Sequence, residues 1–88
     1  MPNVKTIKMY SPVTNSPYFL EITPKPYGLR QVAYGSVSKG KKVPDCAYIC
    51  PPNSPNWKIY YRSIADNLRK LEIAEPNLTL LKVLLNIK

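Results

Sequence analysis

Cations and tyrosines alternate through the first half of this 88-residue chain. Lys5 and Lys8 precede Tyr10, Lys25 and Arg30 flank Tyr27, Tyr34 follows, and Ser38-Lys39-Gly40-Lys41-Lys42 closes the series. A nucleic-acid groove sets cations against phosphates and planar rings against bases, and small β folds present both on a sheet face and its loops. The candidate binding set is therefore Lys5, Lys8, Lys25, Tyr27, Arg30, Tyr34, Lys39, Lys41 and Lys42, with the basic turn at 38–42 first among them as a phosphate contact. Each has a plainer alternative. A tyrosine commonly packs its ring in the core and tips its hydroxyl outward, and a lysine-rich turn also protects a sheet edge from aggregation.

Catalytic chemistry finds little to work with. The chain has no histidine, which removes the commonest general base and the commonest metal ligand. Asp66 and Glu72 fall on different helical faces, so no acid and base pair emerges. Gly28, Gly35 and Gly40 are isolated and form no phosphate-cradling loop. Cys46 and Cys50 are the only thiols; on a strand their Cα atoms would lie roughly 13 Å apart, too far for a disulfide. Two thiols also fall short of a closed zinc site unless two chains each supply a pair. They are read as free, buried or half-buried thiols, in keeping with a reducing cytoplasm. The expectation is a non-enzymatic protein without metal or cofactor.

The whole chain carries 13 Lys and Arg against five Asp and Glu, for +8. Residues 1–44 hold seven cations and one acid (+6), and residues 45–88 hold six cations and four acids (+2). Such a field favours DNA or RNA as partner, bound at the backbone with little sequence readout, and it also serves solubility. Binding requires that the scattered cations converge on one side of the molecule.

Those residues need a scaffold. The length suits a single domain, and ten prolines against three glycines favour rigid bends. Residues 1–52 read as β-rich, with strands at Val4–Tyr10, Tyr18–Thr23, Leu29–Val37 and Val43–Cys50 separated by Pro, Gly and short polar residues. Tyr18, Leu20 and Ile22 share one face of the second strand; Arg30, Val32, Tyr34 and Ser36 share one face of the third. Residues 53–88 read as helical. Trp57, Tyr61, Ile64, Leu68 and Leu71 recur at helical spacing, with Lys58, Arg62, Asp66, Arg69 and Lys70 on the solvent side. Beyond Pro76, leucine dominates over β-branched residues and favours a second helix over a strand. The fold class expected is α+β, a small antiparallel sheet or partly open barrel of about four strands followed by one or two helices.

The leucine surplus at the C-terminus suggests a competing function. Leu78, Leu81, Leu84 and Leu85 could form an interface with a second copy, giving a homodimer, or with a larger protein that this chain docks on as inhibitor or adaptor. Burial within the chain is the alternative. No segment has the length of a membrane span, and the N-terminus lacks the apolar stretch of a signal peptide, so a cytoplasmic location is expected.

Overall fold

The computed structural model describes residues 4–87; the reading of the first residues as lacking a signal peptide lies largely outside them. Strands β1 (Lys5–Ser11), β2 (Ser16–Lys25), β3 (Leu29–Ser38) and β4 (Lys41–Cys50) precede helices α1 (Asn56–Lys70) and α2 (Glu75–Leu84). The strands pair antiparallel in the order β1-β2-β3-β4, so the α+β layout is an open meander and not a partly closed barrel. No helix among the described residues is long and apolar enough to cross a membrane.

Alternation along the strands decides which face is buried. Ile7 and Met9 of β1, Leu20 and Ile22 of β2, and Val32 and Tyr34 of β3 share the face that meets the helices. From the other side come Trp57, Ile64, Ala65 and Leu68 of α1 with Leu78, Leu81 and Leu85 of the α2 end, all buried in one core. The residue spacing of three and four along each helix lines these side chains up against the sheet, and each fully buried leucine contributes about 1.5–3 kcal/mol. Pro76 sits in the first turn of α2, where a missing N–H is harmless.

Side-chain hydrogen bonds fasten the two layers. Trp57 Nε1 donates to the Pro51 carbonyl at 2.7 Å, which pins the proline-rich connector to the start of α1. At the far end, buried Ser11 donates from Oγ to the Leu71 carbonyl at 2.7 Å and accepts from the Thr14 N–H at 3.3 Å. That one hydroxyl joins the β1–β2 turn to the end of α1.

A bulge bends the sheet. Pairing runs Tyr34↔Cys46 and then Gly35↔Pro44, which leaves Asp45 as the extra residue of β4. A Cβ on Gly35 would lie 2.1 Å from the Val43 carbonyl oxygen, so only glycine lets the two backbones approach this closely. On the face away from the helices, Phe19 stands cross-strand from Gly35 and is only 3% exposed. Lys42 lies over its ring at 5.7 Å from the centroid and pairs with Glu21.

Candidate functional site

The register gathers three cations at one end of the sheet. Lys5 opens β1 opposite Ile22, Arg30 lies opposite Pro24 and Cys50, and Lys25 closes β2 opposite Leu29. By alternation with Ile7 and with Val32, Lys5 and Arg30 stand on the helix side of the sheet, just beyond the core. They and Lys25 line a cleft of about 290 Å³ whose apolar walls include Ile22, Pro24, Leu29 and, from α2, Leu84.

A second hollow of about 390 Å³ lies between the connector at Pro52–Pro55 and the chain at Leu85–Ile87, and it shares Pro52 with the first. A third, of about 240 Å³, lies between the two helices and shares Lys58 and Ile87 with the second. Lys58, Arg62, Ala65 and Arg69 of α1 line it, along with Lys82 of α2. Steps of four, three and four place those α1 residues on one stripe, and the small Ala65 leaves a notch among the long cations.

The three hollows adjoin through shared lining residues, and together, as a trough, their linings hold seven cations and no carboxylate: Lys5, Lys25, Arg30, Lys58, Arg62, Arg69 and Lys82. Arg69 is the only one of them with an acidic partner within 4 Å among the described residues. Its Nε donates to Glu75 at 2.8 Å, and Asp66 stands 3.9 Å from the guanidinium. The hydrogen bond from Arg69 holds the Glu75 carboxyl below its ordinary value, and the guanidinium charge acts in the same direction. Like charges at i and i+4, such as Lys58 and Arg62, destabilise an exposed helix by a few tenths of a kcal/mol, roughly. An anion in the trough reverses the sign of that interaction.

The remaining candidates lie elsewhere. Lys39 and Lys41 are exposed at the β3–β4 turn, about 26 Å from Arg30 at 3.3 Å per residue along β3. Lys8 is on the sheet face opposite the helices, across from Phe19, and Lys42 is engaged with Glu21. The cations of the first half are thus divided between one end of the sheet, its outer face and the far turn, so the convergence expected of them from the sequence is not met: only Lys5, Lys25 and Arg30 come together, and the cations that join them in the trough come from the second half. Tyr34 is buried, and its hydroxyl accepts a hydrogen bond from Asn67 Nδ2 at 2.8 Å, so its ring has no free face for stacking. Tyr27, at the tip of the β2–β3 turn, is 98% exposed.

The leucines proposed as an interface serve the chain itself. Leu78, Leu81 and Leu85 are buried in the core, and half-buried Leu84 walls the first cleft. The exposed apolar side chains of the helices are Ile59, Leu80 and Val83. Cys46 and Cys50 are free thiols on the core side of β4, beside the stacked rings of Tyr48 and Tyr60. Hydrogen bonding with Cys46 is the main influence raising the Tyr48 hydroxyl above its ordinary value; Ser63 opposes it and burial adds to it.

Sequence reading missed Lys58, Arg62, Arg69 and Lys82. The first three carried a visible signal, a basic stripe on α1, but their meeting with Lys82 depends on how α2 packs. No family model, curated protein or solved structure matches this chain. What distinguishes the trough is its chemistry: cations and apolar side chains line its hollows, with Glu75 paired to Arg69, and such a lining gives a positive local field.

Proposed function

We propose that this protein binds nucleic acid without catalysing a reaction on it, through the sugar-phosphate backbone and with little base readout. The observation that carries the reading is the composition of the trough: seven cations line three adjoining hollows, with no carboxylate among the lining residues. Each cation neutralising a phosphate releases a condensed counterion, so affinity falls linearly in log salt with a slope of about −0.7 per contact on a single strand or −0.9 on a duplex. Five to seven contacts correspond to a single-strand slope of about −3.5 to −5. Anisotropy titration of labelled oligonucleotides between 50 and about 200 mM salt measures it directly. A slope near zero, or no binding at the lowest salt, overturns the reading.

A second reading is docking on a larger acidic protein. Ile59, Leu80 and Val83 favour it, since Val83 is 68% exposed on α2 with no partner in the chain's own core. Replacing Val83 and Leu80 by Ser leaves oligonucleotide binding unchanged if the trough is the functional surface. Loss of oligonucleotide binding in that variant would count against the trough.

A further inference from the structure

Tyr27 is presented in a way that its own fold does not explain. It lies between Pro26 and Gly28 in the turn that joins β2 to β3, with φ at +64°, a left-handed conformation that a bulky L residue adopts at some cost. Its side chain is 98% exposed, and no hydrogen bond or aromatic contact of the described structure involves it. Asn or Gly would fit that backbone more comfortably and would expose no ring. Lys25 and Gly28, within two positions of it along the chain, line the first cleft, while Tyr27 itself stands outside that lining.

We infer that the trough takes single-stranded nucleic acid in preference to duplex, with one base stacked on Tyr27 beside a backbone held by Lys25, Lys5 and Arg30. This rests on the reading of the trough as a backbone site and adds the strand class to it. An exposed ring beside backbone-binding cations suits a strand whose bases are free. A paired duplex keeps its bases stacked inside and can offer none to an exposed ring, whereas a single strand can turn one outward at little cost.

The test titrates a labelled 15-nucleotide single strand, the same strand with abasic sites, and the matching duplex against the full chain at fixed salt. The proteins are wild type, Tyr27→Ala, Tyr27→Trp and Tyr27→Asn, the last keeping the left-handed backbone without a ring. Stacking on an aromatic residue corresponds to about a fivefold to hundredfold change in affinity per base. Tyr27→Ala and Tyr27→Asn should both lose that factor on the intact single strand, Tyr27→Trp should retain affinity, and none should change the salt slope. The abasic strand should bind wild type and Tyr27→Asn alike. Equal affinity of wild type and Tyr27→Asn for the intact strand, or tighter binding of the duplex than of the single strand, overturns the inference while leaving a steep salt slope, and so the backbone site, in place. A flat slope for wild type overturns the backbone site itself.

Discussion

Gly35→Ala tests the packing that sets the shape of the sheet. A Cβ at this position would meet three backbone atoms: the Val43 oxygen at 2.1 Å, the Asp45 nitrogen at 2.8 Å and the Pro44 Cα at 2.8 Å. None can swing aside as a side chain would, so β4 must retreat from β3 by about an ångström, which breaks the ladder on both sides of the bulge. Overpacking of this kind costs about 1–3 kcal/mol, and each ladder hydrogen bond lost adds about 1 kcal/mol. A total near ~4 kcal/mol is a large share of the roughly 4–13 kcal/mol expected for a chain of this length. At about 4–8 °C per kcal/mol in a small domain, the melting midpoint should fall by more than ~15 °C. Gly40→Ala is the control. Its φ is +75° and nothing lies within 4 Å of the added carbon, so it should suffer only the left-handed strain of about 1–2 kcal/mol. Thermal and urea unfolding followed by circular dichroism measure both. Equal midpoints for the two variants, or a Gly35→Ala protein within ~1 kcal/mol of wild type, would refute the claim that the bulge requires glycine.

Three further outcomes follow from the same geometry. Ser11→Ala removes the donor to the Leu71 carbonyl and the acceptor for the Thr14 N–H, and urea unfolding should show a loss of about 1–3 kcal/mol; an unchanged midpoint would mean that the hydroxyl does not join the layers. Glu75→Gln releases Arg69 to the trough and should steepen the salt slope of oligonucleotide binding by up to about 0.7, whereas an unaltered slope would show that Arg69 makes no phosphate contact. Because Arg69 lowers the Glu75 carboxyl, that pair favours the folded state above the ordinary carboxylate value and loses its contribution as pH falls through the lowered one; an NMR titration of Glu75 should place its midpoint below that of a free glutamate, and return it to the ordinary range in Arg69→Ala.

Much of the scaffold was legible because its determinants are local. The alternation of Tyr18, Leu20 and Ile22 fixes a half-buried strand, and the recurrence of Trp57, Ile64 and Leu68 fixes a helix and its buried face. The leucine-rich segment after Pro76 forms a helix, and its apolar surplus is absorbed by a sheet and a neighbouring helix on two sides. The site was legible only in part. Lys5, Lys25 and Arg30 meet because antiparallel pairing returns the ends of β1, β2 and β3 to one place, a consequence of the meander. Tyr34 shares its strand face with Val32, and that shared parity was the available sign that its ring belongs to the core. Lys82 gave no sign at all, since its place beside Arg62 and Arg69 depends on the packing of α2 against α1. Lys39, Lys41 and Lys42 form the densest basic run in the sequence, yet density along the chain does not produce a cavity, and none of the three lines the trough.

The most direct comparison sets two variants side by side, with three cations removed from each: Lys58→Ala, Arg62→Ala and Lys82→Ala from the trough, and Lys39→Ala, Lys41→Ala and Lys42→Ala from the turn. Net charge falls equally, so any difference reports position. The salt slope for single-stranded oligonucleotide should flatten by about 2, near 0.7 per cation removed, in the trough variant, and should stay at the wild-type value in the turn variant. Equal flattening in both, or flattening confined to the turn variant, would contradict the assignment of binding to the trough.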